Sequence, residues 1–173
     1  MAQDLEQYIR NVPDFPKRGI QFKDITTLLK EPKAFRQCID AFCQRYEPVG
    51  VQKVAGIEAR GFILGSVVAY QLGAGFVPIR KPGKLPAETL RQQYALEYGT
   101  DGVEVHKDGI RQGEKVLMID DLLATGGTMA ASCELVKQLG GQIAGVAFLI
   151  ELDFLNGREK LKDYDVFSLV HSD

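Results

Sequence analysis

Two adjacent acids, Asp120 and Asp121, are followed closely by Ala124-Thr125-Gly126-Gly127-Thr128. A loop of small residues that opens a helix can turn several backbone N–H groups, two hydroxyls and the helix N-terminus onto one anion. Two carboxylates beside such a cradle would repel the anion unless something neutral and hydroxylated lay between them. A sugar diol meets that need, because its hydroxyls donate to the carboxylates while the loop holds the sugar's phosphate. The local chemistry is that of a ribose 5-phosphate site. A P-loop would need a lysine after its second glycine, and residues 120–128 contain none. A dinucleotide fingerprint places its acid about 20 residues after the glycines, whereas here both acids precede them. The remaining alternative is a polar surface turn, which leaves the abrupt passage from Val116-Leu117-Met118-Ile119 into two acids unexplained.

These residues need elements to position them. The apolar run 115–119 reads as a strand buried on both faces, and residues 129–139 as the helix after the loop. Upstream, residues 4–10 form a short helix and 12–19 a Pro/Gly-rich segment. Asp24 caps a helical turn ending at Leu29. Pro32 suits the first turn of a helix over 32–46, with Phe35, Ile39, Phe42 and Tyr46 on one stripe. A strand at 53–57, a helix at 61–72 and a strand at 75–79 follow, then a loop over 81–89. Segments 94–97 and 103–106 read as a hairpin around Gly99-Thr100-Asp101-Gly102. A strand at 142–150, a helix at 155–161 and a strand at 166–170 complete an α/β alternation. Such an order implies right-handed crossovers and a mostly parallel sheet flanked by helices, with ligands at the carboxyl ends of its strands.

That rule gathers dispersed residues on one edge. Asp120-Asp121, Glu58-Ala59-Arg60-Gly61 and Arg80-Lys81 each follow a predicted strand. The Glu58 segment is a second strand–loop–helix anion turn, with a guanidinium inside it. Arg80, Lys81 and Lys84 add three positive charges within five residues. Alone, such a cluster reads as a solvated face; beside two anion loops it reads as a pyrophosphate site. The ligand that fits carries phosphate at one end, pyrophosphate at the other and a ribose diol between, the layout of 5-phosphoribosyl 1-pyrophosphate.

Asp120-Asp121-Leu122-Leu123-Ala124-Thr125-Gly126-Gly127-Thr128 resembles the ribose-phosphate motif of the type I phosphoribosyltransferase family. Gly56-Ile57-Glu58-Ala59-Arg60-Gly61-Phe62, Pro13-Asp14-Phe15-Pro16, Phe22-Lys23-Asp24-Ile25 and Leu96-Glu97-Tyr98-Gly99 are similar to the branch that uses adenine, and the likeness runs from about Pro13 to about Leu169. The resemblance implies one domain over residues 1–173, with an N-terminal hood at 1–30 and a flexible β-hairpin lid at 81–105. It implies transfer of the phosphoribosyl group to adenine, giving AMP and pyrophosphate in purine salvage. A 6-oxopurine or orotate as the base, or a nucleotide-sensing regulator of the same fold without catalysis, remain the alternatives. Phe22 is implied to stack on the purine while main-chain groups of Gln21 and Lys23 read its edge; Phe22 as an apolar staple for the N-terminal segment is the competing reading. Glu97 is the candidate acid/base for a purine nitrogen, against a solvated hairpin acid, and Tyr98 would lie on the pyrophosphate or ribose. Arg60 is expected to neutralise the leaving group. Mg²⁺ would be held by substrate oxygens and water with few or no protein ligands. A homodimer is also implied, with residues of the lysine loop able to reach the neighbouring subunit's site.

Composition bounds these readings. The 173 residues carry 21 basic and 23 acidic side chains, a net charge of −2, so no global basic field points to nucleic acid. No apolar run approaches the roughly 20 residues of a membrane helix, and the first ten residues lack a signal-peptide core. Cys38, Cys43 and Cys133 form no Cys-x-x-Cys pair and read as packed thiols of a reduced, cytoplasmic protein. His106 and His171 show no metal-ligand spacing and read as ordinary surface or strand histidines.

Overall fold

The computed structural model describes residues 5–173. Five parallel strands form the central sheet: β3 (Lys53–Ile57), β4 (Gly75–Ile79), β7 (Lys115–Leu123), β8 (Gln142–Leu152) and β9 (Val166–Ser172), in the spatial order β4-β3-β7-β8-β9. Two antiparallel pairs stand apart from it. β1 (Arg10–Pro13) with β2 (Gln21–Asp24) makes the N-terminal hood, and β5 (Thr89–Ala95) with β6 (Thr100–His106) makes a hairpin. The short helix α1 (Thr26–Leu29) follows the hood. The longer helices α2 (Pro32–Tyr46), α3 (Arg60–Leu72) and α4 (Gly127–Gln138) cover the sheet. None of the helices among the described residues is long and apolar enough to cross a membrane.

The sheet is buried on both faces, as the apolar runs require. Leu117 and Ile119 of β7 pack with α2 and α3 residues such as Phe42 and Leu64, while Val116 and Met118 pack with α4 residues such as Leu135 and Val136. All three cysteines lie buried as free thiols, and burial pushes the Cys38 and Cys133 thiols up to about 12, so both stay neutral. Close approach of α3 to the sheet depends on small residues. A Cβ on Gly65 would stand 2.9 Å from the Ile119 side chain and one on Gly56 2.8 Å from the Phe76 ring.

Several boundaries differ from the sequence expectations. Residues 6–8 form a single 3-10 turn and Arg10 already belongs to β1, so the helix expected over 4–10 is not formed in its described part. β7 runs four residues past Ile119, because Asp120, Leu122 and Leu123 continue the parallel ladder with Phe148, Ile150 and Glu151 of β8. The hairpin strands are Thr89–Ala95 and Thr100–His106, which moves Glu97 out of a strand and into the turn. The helix expected over 155–161 is two 3-10 turns, Asp153–Leu155 and Gly157–Leu161, separated by Asn156 at a φ of 52°. Asp24 does cap the turn after it: its Oδ1 accepts the Thr26 N–H at 2.9 Å and the Thr26 hydroxyl at 2.6 Å. Those bonds and Arg10 hold its carboxyl down to about 2.

Candidate active site

β3 and β7 are neighbours, and the chain leaves β3 towards β4 on the other side, so the sheet's switch point lies between them. Ligands of open α/β sheets bind at the carboxyl ends of strands at such a point. Both anion loops leave from it. The first follows β3 through Glu58 and Ala59, joined by a cis peptide, into Arg60 at the start of α3. The second follows β7 through Ala124, Thr125 and Gly126 into α4.

The two loops meet in an ion pair. Arg60 Nε donates to Asp121 Oδ2 at 2.5 Å, with the Asp121 side chain 6% exposed and that of Arg60 40%. The Arg60 guanidinium lies 5.1 Å from the centroid of the Phe22 ring, within reach of a cation–π contact. Phe22 in turn meets Phe15 edge-on at 5.1 Å. The expected base platform, pyrophosphate loop and ribose acid are therefore adjacent. A cleft of about 830 Å³ opens beside them, lined by Gln21, Phe22, Lys23, Leu122, Ala124 and Phe154 among others.

Asp120 is the most constrained acid of the edge. Its Oδ1 accepts the Asp121 N–H at 2.8 Å and would lie 2.9 Å from a Cβ on residue 61, so Gly61 is what makes room for it. Burial, and then the charge of Asp121, push the Asp120 carboxyl well above the usual range. A carboxyl raised in this way holds its proton more tightly folded than unfolded. Its contribution to stability is fully present below the unfolded value of about 3.9 and is lost as the pH rises through the raised folded value. Asp120→Asn keeps the acceptor for the Asp121 N–H and removes the repulsion. It is expected to raise the melting temperature at pH 7 by about 2–4 °C, for a gain of about 1 kcal/mol. The gain should vanish near pH 3 in melts followed by circular dichroism. A variant less stable than wild type at pH 7 would count against this account of the pair.

The loop after β7 is the strand–loop–helix turn expected from its residues. Gly126 adopts a φ of 84°, and the first α4 bond runs from the Ala130 N–H to the Gly126 carbonyl at 2.9 Å. The amides of Gly127, Thr128 and Met129 are left without intrahelical acceptors. Thr125 is exposed at the loop's tip, and Thr128 is half-buried.

The basic run lies against acids, with Arg80 Nε buried but without a hydrogen-bond partner among the described residues. Glu58 accepts the Lys81 N–H at 2.5 Å and Lys84 Nζ at 2.7 Å, and lies 3.5 Å from Arg80 Nε. Burial alone would raise Glu58, but the Lys84 and Lys81 bonds and the Arg80 charge outweigh it and hold the carboxyl below its usual value. Lys81 Nζ pairs with Asp101, whose carboxyl is held down chiefly by that bond. Lys81 and Lys84 thus find their partners within their own chain here. Arg80 also joins the hairpin to the sheet edge, exchanging backbone hydrogen bonds with Glu104 at 2.8 and 3.0 Å.

Glu97 and Tyr98 are not brought to this cluster. They sit in the exposed turn between β5 and β6, where Tyr98 is 88% exposed and no side-chain hydrogen bond among the described residues joins either to the two loops. The base of the hairpin is core rather than free lid, since Val103 and Val105 of β6 are buried. The hairpin does bring Tyr94 and Asp101 against Lys81 and Thr128, and the sequence reading missed both. Tyr94 Oη lies 3.0 Å from Thr128 Oγ1 and 3.1 Å from Lys81 Nζ. In the structure half-buried Gln92 and Tyr94 alternate with exposed Arg91, Gln93 and Ala95, an alternation that the polar run Arg91-Gln92-Gln93 does not display in sequence. Gly157 was missed too: its carbonyl lies 2.5 Å from where a Cβ on residue 126 would be.

The chain matches the family model of the phosphoribosyl transferase domain over residues 24–173. It is 60% identical over 169 residues to the adenine phosphoribosyltransferase of Koribacter versatilis, spanning 98% of this chain and 93% of that one. Its structure is similar to the crystal structure of adenine phosphoribosyltransferase from Thermoanaerobacter pseudethanolicus, with a TM-score of 0.96, 52% identity and coverage of 99% and 100% of the two chains. It is also similar to the Saccharomyces cerevisiae adenine phosphoribosyltransferase complexed with D-2,5-dideoxy-2,5-imino-altritol 1,6-bisphosphate and adenine, with a TM-score of 0.92, 42% identity and 97% of both chains covered.

Proposed function

Since the chain belongs to the phosphoribosyltransferase family, we propose that it joins adenine to 5-phosphoribosyl 1-pyrophosphate, forming AMP and pyrophosphate in purine salvage. The observation that carries this reading is the 2.5 Å Arg60–Asp121 pair with the Phe22 ring beside it, which supports pyrophosphate, ribose and base subsites side by side.

The geometry supports one assignment of roles. Ala124, Thr125, Gly126, Gly127 and Thr128 take the 5-phosphate, and Asp120 and Asp121 the ribose hydroxyls. Glu58, Ala59, Arg60, Arg80, Lys81 and Lys84 surround the pyrophosphate. Their cations are held by Asp121, Asp101 and Glu58 before substrate arrives. Binding therefore exchanges carboxylate partners for pyrophosphate oxygens and frees Asp121 to accept from the diol. Phe22 stacks on adenine between main-chain groups of Gln21 and Lys23; Pro13, opposite Gln21 in the ladder, has no N–H to compete for the Gln21 carbonyl.

In the chemical step the C1–oxygen bond to pyrophosphate breaks as the bond from the purine nitrogen to C1 forms. The bonding pair leaves with pyrophosphate, and the purine nitrogen gives up its proton, which Glu97 accepts once the hairpin turn closes. The catalytic contribution is charge neutralisation of the leaving group and placement of the base. The acids of this edge are all committed to protein donors, and the one trio of metal-ligating side chains among the described residues is Glu151, Asp153 and His171, on other elements. That donor set fits Mg²⁺ carried by substrate oxygens and water, where it neutralises pyrophosphate charge. We also assign the chain to a cytoplasmic homodimer. On α3, Tyr70 is 88% and Ile63 41% exposed, an apolar face that a second copy would cover.

Purified protein with Mg²⁺, adenine and 5-phosphoribosyl 1-pyrophosphate is expected to yield AMP and pyrophosphate in equal amounts. Absence of AMP would overturn the reaction, and faster turnover of hypoxanthine, guanine or xanthine in competition would overturn the base.

A further inference from the structure

We infer that Tyr94 is a positioning residue for the 5-phosphate, acting through the Thr128 hydroxyl; the inference rests on the assignment of the Thr125–Thr128 loop to that phosphate. The Tyr94 hydroxyl sits among three polar groups, with Thr128 Oγ1 at 3.0 Å, Lys81 Nζ at 3.1 Å and Asp101 Oδ2 at 3.3 Å. Its ring is fixed as well. The ring edge would be 3.4 Å from a Cβ on Gly127, so it lies flush against the first residue of α4, and Lys81 Nζ stands 5.7 Å from its centroid.

Proton accounting gives the bonds a direction. An ammonium only donates, so the Tyr94 oxygen accepts from Lys81. Thr128 Oγ1 donates to the Tyr94 oxygen as well, and Tyr94 gives its own proton to Asp101 Oδ2 at 3.3 Å. Lys81 and Asp101 thus hold Tyr94, and Tyr94 holds the Thr128 side chain in the first turn of α4, whose free amides are assigned to the phosphate, each bond polarising the next. The same Lys81 places its backbone N–H on Glu58 of the other anion loop at 2.5 Å. Tyr94 is therefore where the two phosphate-binding ends of the site are joined.

Tyr94→Phe keeps the ring and removes only the hydroxyl. The expected result is a roughly 2- to 10-fold weaker AMP affinity by calorimetry, the range of one lost hydrogen bond, with adenosine affinity unchanged. KM for 5-phosphoribosyl 1-pyrophosphate should rise by a similar factor while kcat and the adenine KM hold. A merely structural role would move AMP and adenosine together. In a Thr128→Val background, which removes the bonded hydroxyl, Tyr94→Phe should add less than about 2-fold, because groups acting through one bond are not additive. Wild-type AMP affinity in Tyr94→Phe, or a full additional loss on top of Thr128→Val, would overturn the inference. Failure of the wild-type protein to bind AMP would instead overturn the proposed function beneath it.

Discussion

Gly126→Ala is expected to weaken AMP binding by at least about 100-fold while the chain still folds, the scale of loss that follows from misplacing a binding group by about 1 Å. Two independent penalties meet at this residue. Its φ of 84° is one that side chains rarely adopt, at about 1–2 kcal/mol. The new Cβ would also come within 2.5 Å of the Gly157 carbonyl oxygen and 3.4 Å of the Gly157 Cα. Those atoms are backbone, so no rotamer change relieves the contact, and overpacking of this kind costs about 1–3 kcal/mol more. The segment that must give way is the one whose amides are assigned to the phosphate. Gly50→Ala supplies the control: its φ is 74°, but no atom lies within 4 Å of the added Cβ. That variant should lose the backbone penalty in stability and keep wild-type AMP affinity. Calorimetric titration with AMP decides the matter, and equal AMP affinities for the Gly126 and Gly50 variants would remove the contact with Gly157 from the explanation.

That contact also marks where sequence reading reaches its limit. The bounds of α2, β3 and β4 follow from local signals, Pro32 at the helix start and short apolar runs between turns. The two anion loops were legible for the same reason, since each is a contiguous strand–loop–helix unit whose residue types carry the chemistry. β7 was cut short because Asp120 and Asp121 look like the end of an apolar strand. The ladder is made by backbone groups, which continue to pair with β8 whatever the side chains are. Tyr94 depends on a register between strands. Its partner across the hairpin is Asp101, and Thr128 lies 34 residues further along the chain, so no local pattern joins the three. Gly157 is the same case at longer range: its lack of a side chain matters because the Ala124 carbonyl and the Leu123 side chain pack on it. For Glu97 the sequence marks the residue type but not the distance: the turn between β5 and β6 holds it exposed, and its proposed role requires that turn to close.

Arg60→Ala should produce the largest loss of turnover, a fall in kcat/KM of about 10²–10³, the usual effect of removing one preorganised donor from developing charge. In the proposed site Arg60 serves three subsites at once. Its assigned role is to neutralise the leaving group, it holds Asp121 at 2.5 Å, and its guanidinium lies 5.1 Å from the Phe22 ring. Arg60→Lys keeps a charge but loses the planar fork and the flat contact with Phe22, so it should recover only a minor part of the loss. The effect on stability is smaller and has a different origin. Asp121 is 6% exposed and loses its partner, a cost of about 1 kcal/mol once the solvent access of the 40%-exposed guanidinium is allowed for. Arg60→Ala/Asp121→Asn should therefore melt above Arg60→Ala alone, because the stranded charge is gone, while remaining as inactive. Pyrophosphate affinity separates the roles further. It should fall with Arg60→Ala and change little with Asp121→Asn, whose defect belongs to the ribose. An Arg60→Ala enzyme with wild-type kcat/KM for 5-phosphoribosyl 1-pyrophosphate would remove the guanidinium from the leaving-group site.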